Sequence, residues 1–240
     1  MPNFIEMLTV ERFGTYRSWA IADDLLASRL YTYNVQLSTA LYGPLHMLEV
    51  ALRNVVDRTL CAHPRHGPDW FDNPTAAFST KDSTRVYQKG CIDKARETLT
   101  RNHKAGTHCQ IIAELNLGFW TSLFGSGTPL WNVLRPAFRA PGIQRSDVAV
   151  PLHYIRDLRN RIAHYEPILA IALGQHYASI TTLTGWLSPS AAAWIKETST
   201  WGKVYPGVPV LERSPSTGQL NYTQAVLPYL PPASANLKLA

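Results

Sequence analysis

The chain has 240 residues, 45% of them hydrophobic, which is enough for one sizeable domain with its own apolar core. Lys and Arg (23) outnumber Asp and Glu (17), and the formal charge of +6 favours a polyanionic partner, although it could also serve solubility alone. Three cysteines without a Cys-x-x-Cys pair argue against a disulfide framework or a zinc site, and without a signal segment or an apolar run of roughly 18 residues we expect a cytoplasmic protein with no membrane anchor.

Helices are predicted in the first third of the chain. Thr9 to Asn34 reads as one or two polar helices. Apolar residues at three- and four-residue steps from Leu37 to Leu60 predict an amphipathic helix, which Gly43-Pro44 is expected to kink or split. A loop rich in Pro, Gly and His then runs from His63 to Ser79.

Three further helices are predicted in the middle of the chain. Ser79 or Thr80 can cap a polar helix that continues to about His103. Ile111 to Phe124 is strongly apolar, and its length favours helix over strand, although Gly118 lies inside it. Trp131 to Phe138 is expected to form a short helix.

The last third contains the helix of greatest interest and a proline-rich end. Ser146 can cap a helix rich in polar residues, and Pro167 opens an apolar stretch to Leu187. Ser188-Pro189 is expected to start a short final helix to about Thr198. Residues 202–240 carry six prolines and little periodicity, so we expect a tail or an irregular wrap-around arm. No long alternating strand pattern appears, and the fold should be predominantly helical.

The stretch from Ile155 to Ile168 concentrates polar side chains in one predicted helix. An arginine and a histidine close together can bind a phosphodiester and move a proton beside it, so RNA cleavage is the first hypothesis. At 100° per residue the helix has two faces. Its apolar side is formed by Leu152, Ile155, Leu158, Ile162 and Tyr165. Its polar stripe is formed by His153, Asp157, Asn160 and His164.

Arg159 lies about 140° from His164 on this helix, so one straight helix does not bring the two side chains to the same atom. A helix end or a second copy of the motif would have to complete the site. Pro167 disfavours helical geometry at the preceding residue, so the helix should end near His164. His164 could be simply a capping residue that interacts with the negative end of the helix dipole, or it could exchange a proton near neutral pH.

Glu49 and Arg53 are four residues apart on an otherwise apolar helix, in the favourable order for an ion pair. Glu49 adjoins Leu48 and Leu52, so we expect it to be partly buried and to need a cation. Two interpretations stay open. Glu49 could pair with Arg159 or Arg53 and orient the catalytic arginine, or Glu49 and Arg53 could form a simple intrahelical pair.

No metal or other cofactor is expected. His103, His108 and Cys109 are close in sequence, but their spacing fits no closed four-ligand set. Aromatic residues flanked by Leu and Ile could stack on bases, yet such residues are more often part of a core. They are Trp70, Phe71, Phe119 and Trp120.

Leu158 to Ile168, with the sequence LRNRIAHYEPI, resembles the signature of Abi-like abortive-infection proteins, within the HEPN superfamily of helical RNases. Three other segments resemble the same family in the same order, namely Leu45 to Asn54, Trp70-Phe71 and Ile112 to Leu123. The resemblance extends from about residue 30 to residue 200 and does not cover the proline-rich end.

This resemblance implies an all-helical bundle that cleaves RNA without a metal ion, usually as a homodimer whose two Arg-x(4)-His motifs face each other. The family's Arg-Asn…His positions fall on Arg159, Asn160 and His164, which would be the catalytic residues. Tyr165 stands where many relatives carry a second histidine, so a facing subunit would have to supply the second imidazole. The supporting residues would be Glu49, Arg53, Arg156, Asp157, Arg161 and Tyr165.

The implied reaction is a transesterification. The ribose 2′-hydroxyl would attack the adjacent phosphorus, His164 would take or donate the proton, and Arg159 would neutralise the phosphorane. Asn160 would orient His164 or hold a phosphate oxygen. The products would carry a 2′,3′-cyclic phosphate and a 5′-hydroxyl, and DNA would resist because it lacks the attacking group.

We therefore expect an all-α, HEPN-like helical domain over residues 1–201 and a proline-rich C-terminal tail over residues 202–240. The protein would act as a toxin or antiviral effector, with RNA as substrate, a second copy as partner and an antitoxin or inhibitor that restrains it. Two alternatives stay open. One is a non-catalytic HEPN-like protein that binds RNA or serves as a scaffold, and the other is an interaction module whose polar stripe holds a dimer together.

Overall fold

The structure is a computed structural model that describes residues 8–73 and 78–232. Helices, with the short 3₁₀ segments included, account for 66% of these described residues. The described part contains ten α-helices and one sheet of two short strands, so the predicted all-α class is confirmed, while the HEPN-like arrangement stays a prediction. Within the same residues, no helix is both long enough and apolar enough to cross a membrane.

In chain order the α-helices are α1 (Val10–Trp19), α2 (Asp24–Ala62), α3 (Asp82–Arg101), α4 (His108–Glu114), α5 (Leu117–Ser122), α6 (Trp131–Leu134), α7 (Arg145–Ala163), α8 (Leu173–Leu187), α9 (Pro189–Thr198) and α10 (Trp201–Val204). The strands are β1 (Leu211–Arg213) and β2 (Leu220–Tyr222). Short 3₁₀ segments lie at Trp70–Asp72, Arg135–Ala137 and Gln224–Tyr229.

Residue contacts divide the chain into two compact units. The first unit contains residues 1–44, 158–178 and 197–240, and the second contains residues 45–157 and 179–196. The residues after 201 thus belong to the first unit together with the start of the chain. A separate domain ending at residue 201 stays a prediction.

Up to residue 232 the proline-rich end packs in the first unit, which fits the expected wrap-around arm better than a detached tail. Strands β1 and β2 pair antiparallel, with Leu211 opposite Tyr222. Arg29 on α2 donates from Nε to the carbonyl of Pro231 (2.9 Å), and the buried Tyr33 hydroxyl donates to the carbonyl of Val204 (2.6 Å). Four apolar side chains of this segment are buried. They are Val210, Leu211, Val226 and Leu230.

Aromatic side chains form much of the core of the second unit. Trp70, Phe119 and Trp120 are fully buried, and their ring centroids lie 5.1–6.2 Å apart. Trp70 also contacts Phe71 edge to face at 5.5 Å. Of the two interpretations of these aromatics, the structure therefore supports packing in a core over stacking on bases.

Helix α2 is longer and less interrupted than its sequence suggests. It begins at Asp24, where the Asp23 carboxylate accepts the N–H of Leu26 (2.9 Å), and runs without a break through Pro44. Of the two outcomes expected at Gly43-Pro44, the split is wrong, and the kink stays a prediction. An interior proline costs about 3 kcal/mol, and buried leucines such as Leu41 and Leu45, at about 1.5–3 kcal/mol each, offset that cost.

The apolar stretch from Ile111 to Phe124 is helical rather than extended, as predicted, but it forms two short helices and not one continuous helix. The break lies at Leu115 and Asn116, before α5. Asn116 caps α5 through its side-chain oxygen, which accepts the N–H of Phe119 (3.0 Å). The chain breaks there because asparagine satisfies a free helix N–H better than it serves inside a helix.

Two other predicted helix caps are also corrected. Lys81, not Ser79 or Thr80, occupies the N-cap position of α3, and it makes no side-chain capping bond. Helix α7 begins at Arg145, one residue before Ser146. The Asp147 carboxylate accepts the backbone N–H of Gln144, the residue before the helix. The short helices predicted near Trp131 and Pro189 are confirmed as α6 and α9.

Candidate active site

The candidate motif lies at the carboxyl end of α7. The helix ends at Ala163, close to the predicted end. It closes with a Schellman motif, in which the N–H of Tyr165 donates to the carbonyl of Ile162 (3.1 Å) and that of Glu166 to the carbonyl of Arg161 (2.8 Å). Tyr165 adopts a left-handed φ of 58°, a conformation that glycine usually takes.

The predicted faces of α7 are confirmed except at its end. Leu152, Ile155 and Leu158 are buried. All four residues of the polar stripe are exposed, namely His153, Asp157, Asn160 and His164. Tyr165 was assigned to the apolar side, but it is 76% exposed because the chain has left the helix at that residue.

The three predicted catalytic residues are available to a ligand. Asn160 and His164 are exposed one turn apart, with the His164 N–H donating to the Asn160 carbonyl (2.9 Å), and Arg159 is half-buried. In residues 8–73 and 78–232, no hydrogen bond or ion pair engages any of the three side chains. The structure thus leaves a guanidinium, an amide and an imidazole at one helix end without protein partners.

The neighbouring charged residues of the motif are paired. Arg156 lies 3.2 Å from the carboxylate of Asp157 and donates to Nδ1 of His153 (2.9 Å). Arg161 lies 3.7 Å from the carboxylate of Glu166. Among the three arginines of the motif, Arg159 is the one with no acidic partner in the described chain.

A cavity of about 450 Å³ in the first unit opens beside the end of α7. Ile162 and Tyr165 line it from the motif, and Tyr42, Val35 and Arg12 line it from α2 and α1. Tyr42 is 68% exposed. The cavity therefore presents phenol rings and a guanidinium, and part of its lining adjoins His164 in sequence; none of its lining residues is acidic.

Glu49 and Arg53 do not form the predicted intrahelical pair. Both side chains are half-buried on α2, but no ion pair within 4.0 Å joins them, and Arg53 donates instead to the side-chain oxygen of Asn54 (3.3 Å). The expected partial burial of Glu49 is confirmed. Its pairing with Arg159, a residue of the other unit, stays a prediction.

A second cavity, of about 440 Å³, lies in the second unit and is lined by Lys81, Tyr87 and Ser126, and by His153 and Arg156 of α7. None of its lining residues is acidic. Lys81 donates to the hydroxyl of Ser126 (2.7 Å). Burial, followed by a hydrogen bond with Cys91, raises the pKa of Tyr87 to about 12, so its hydroxyl remains a donor. The cavity is suited to an anion.

Asp57, Cys61 and His108 form a cluster in the second unit that was not predicted from the sequence. Nε2 of His108 lies 2.9 and 3.1 Å from the two carboxylate oxygens of Asp57, and Sγ of Cys61 lies 3.6 Å from Oδ1. Burial, followed by the nearby carboxylate, raises the pKa of Cys61 to about 11, so Cys61 is a thiol at neutral pH. The sequence shows that Asp57 and Cys61 are one helical turn apart, but His108 lies far from both in the sequence, so their proximity could not be predicted.

Comparison of the chain with protein-family models, with curated proteins and with solved structures found no match in any of the three. The arrangement and chemistry of the side chains are therefore the basis on which a function can be proposed.

Proposed function

We propose that the protein is a metal-independent endoribonuclease of the abortive-infection or toxin type, which cleaves RNA by transesterification. One observation carries this proposal. Arg159, Asn160 and His164 stand at one helix end with no side-chain partner among the described residues, while the other arginines of that motif, Arg156 and Arg161, are paired with carboxylates. The resemblance of this segment to Abi-like proteins of the HEPN superfamily supports the same function.

Each of these three side chains has one role in the proposed reaction. The 2′-oxygen of the ribose bonds to phosphorus as its proton passes to an imidazole, and the bond to the 5′-oxygen breaks as that oxygen gains a proton. His164 supplies one of these two proton transfers, Arg159 neutralises the phosphorane, and Asn160 holds a phosphate oxygen or orients His164. The products are a 2′,3′-cyclic phosphate and a 5′-hydroxyl.

The cavity beside the motif is a suitable place for the nucleotide next to the cleaved bond. Tyr42 and Tyr165 offer exposed rings on which a base can stack, at about 1–3 kcal/mol per base. Arg12 adds a cation that can contact a phosphate. The formal charge of +6 favours the approach of a polyanion.

Two proton transfers and one imidazole per motif call for a second copy of the chain. Tyr165 occupies the position where a second histidine would stand, and Arg159 and His164 are about 140° apart on an ideal helix. A homodimer that brings two α7 ends together would supply both an acid and a base and would place the arginine of one copy near the histidine of the other.

The test is cleavage of a mixed single-stranded RNA by the purified chain in EDTA, beside Arg159→Ala and His164→Ala. We expect chelator-resistant cleavage that falls by about 10²–10⁴-fold in His164→Ala and by about 10²–10³-fold in Arg159→Ala. Arg145→Ala and His46→Ala are matched controls, because they remove the same side chains elsewhere and should cleave like the wild type. End-group analysis should find a 2′,3′-cyclic phosphate, and an all-DNA substrate should stay intact.

The other outcomes separate the alternatives. RNA binding without cleavage, weakened in both variants, would favour a non-catalytic RNA-binding protein. Absence of any RNA interaction, with a dimer that dissociates in the variants, would favour an interaction module. Either result would overturn the nuclease proposal.

A further inference from the structure

The cluster of Asp57, Cys61 and His108 has the spacing of a metal site. Its three ligand atoms all lie within 4.8 Å of one another. Tetrahedral zinc, with bonds of about 2.0–2.3 Å, separates neighbouring ligand atoms by roughly 3.3–3.6 Å. The Sγ atom of Cys61 lies 3.6 Å from Oδ1 of Asp57 and 3.8 Å from Nε2 of His108. The imidazole and the carboxylate, at 2.9–3.1 Å, need to separate by only a few tenths of an ångström to admit the ion.

Local structure holds each of the three side chains in place. Asp57 and Cys61 are one turn apart on α2 and therefore lie on the same face. His108 is the first residue of α4, whose start is fixed by a capping box between Thr107 and Gln110. This local order means that little conformational entropy remains to be lost when an ion binds.

The surroundings of the cluster also suit a bound cation. The Asp57 side chain is 17% exposed, and its partners in the described chain are His108, Cys61 and Trp70, with no lysine or arginine among them. A carboxylate this buried requires positive charge nearby. The fully buried Trp70 donates from Nε1 to Oδ1 of Asp57 (2.9 Å), which orients the carboxylate as an outer-shell partner does and leaves its remaining lone pairs for a metal.

We propose that Asp57, Cys61 and His108 bind one divalent transition-metal ion, with Zn²⁺ as the best fit. A mixed oxygen, sulfur and nitrogen set suits zinc and argues against Mg²⁺ or Ca²⁺, which take oxygen ligands. Three protein ligands leave a fourth position for water. The ion would link α2 to the start of α4 within the second unit, a structural role independent of the proposed RNA cleavage.

The experiment measures metal content and coordination on the full chain. The purified protein is stripped with a chelator, incubated with Zn²⁺ or Co²⁺, freed of unbound metal by gel filtration and analysed by mass spectrometry. We expect one zinc ion per chain, and with Co²⁺ a thiolate-to-metal charge-transfer band in the near ultraviolet. Cys61→Ser should abolish that band, and Asp57→Asn, which can still accept the Trp70 N–H, should release the ion.

The controls separate this site from adventitious binding. Cys91→Ser removes another half-buried cysteine of the same unit and should leave metal content and the cobalt band unchanged. Trp70→Phe removes the outer-shell donor and should weaken affinity by about 10–100-fold. Wild-type chain that retains no zinc or cobalt, or equal binding in Cys61→Ser and Cys91→Ser, would overturn the proposal. Since EDTA would also remove this ion, the cleavage assay is read beside a thermal melt of the chain in the same buffer. Cleavage lost from a chain that stays folded counts against the nuclease proposal alone, and absence of bound metal counts against the metal site alone.

Discussion

At the scale of single residues, the burial of His66 in the second unit makes the stability of the folded protein depend on pH. Its half-buried ring lies beside that of His63, with 4.8 Å between the ring centroids. Its Nδ1 atom is buried, and in the described chain no hydrogen bond satisfies it. Burial, followed by the charges of His63 and Arg65, lowers the pKa of His66 from its ordinary value of 6.5. The folded protein therefore disfavours the imidazolium.

The lowered pKa of His66 means that acid destabilises the folded protein. As pH falls, the unfolded chain takes up this proton before the folded protein does, so the neutral state of His66 contributes full stability above about pH 6.5. That contribution is lost as pH falls from 6.5 through the lower pKa of the folded state. In urea titrations from about pH 7 to pH 5 we expect His66→Asn to lose less unfolding free energy than the wild type. His46→Asn, an exposed control, should follow the wild type, and equal slopes in all three proteins would contradict this account.

Single residues of the candidate site were predictable where helix periodicity governs them. The exposure of Asn160 and His164 follows from their positions opposite Leu158 on one regular helix. Tyr165 was assigned to the wrong side because periodicity no longer applies once the chain turns left-handed. The cluster around Asp57 could not be foreseen, since His108 reaches it through tertiary packing alone.

At the scale of elements, three helices end in the same unusual way. The residues after the caps of α1, α3 and α7 are Ile21, His103 and Tyr165, with φ of 54°, 53° and 58°. Each belongs to a Schellman motif. Its own backbone N–H donates to the carbonyl three residues before it, and the N–H of the next residue donates to the carbonyl five residues before that one. Glycine is the usual residue there, so the sequence carries no glycine signal for these ends. Side chains retained in this conformation cost about 1–2 kcal/mol each.

Replacing Tyr165 by glycine should raise stability and weaken RNA binding at the same time. Glycine relieves the strain of the left-handed backbone but gains more conformational freedom in the unfolded chain, which offsets part of that relief. The net effect should raise the free energy of unfolding by about 0.5–1 kcal/mol. Loss of the ring should weaken RNA affinity by about 5- to 150-fold if one base stacks on it. His103→Gly is the matched control, because it relieves the same geometry at the end of α3.

The two variants give distinct readouts in thermal melts and RNA titrations. His103→Gly should gain similar stability and keep wild-type RNA affinity. Undiminished affinity in Tyr165→Gly would show that the tyrosine is not a stacking platform. A drop in stability in His103→Gly would contradict the strain argument for both positions.

Helix boundaries were predictable from sequence only where a standard cap marks them. Ser188-Pro189 predicted the start of α9, and Pro167 the end of α7, because each restricts the backbone locally. Pro44 misled because burial on both sides of it outweighs the lost hydrogen bond. Asn116 was overlooked because the apolar run around it continues on both sides of the break.

At the scale of the whole molecule, the residues after 201 complete the first unit. Composition alone suggested a tail or an irregular wrap-around arm, since six prolines and weak periodicity are typical of a segment without its own core. Each strand of its hairpin has only three residues, too few to show a period-two pattern in the sequence. Val210, Leu211, Val226 and Leu230 are nevertheless buried, and Arg29 binds the carbonyls of Leu230 and Pro231. We infer that this segment is part of the folded first unit.

Truncation after residue 205 should therefore destabilise the first unit. The four buried side chains of the segment each contribute about 1.5–3 kcal/mol, so we expect their loss to lower the urea midpoint sharply and to open residues 8–44 to limited proteolysis.

Arg29→Met tests the contribution of the hydrogen bonds between Arg29 and this segment. Loss of these bonds to two carbonyls should lower the free energy of unfolding by about 1.5–3 kcal/mol. Arg17→Met is the matched control, because Arg17 forms an exposed ion pair with Asp24, worth about 0–1 kcal/mol. A truncated chain with the midpoint and protease resistance of the full chain would instead support an appended tail, because a segment that contributes no burial can be removed without cost.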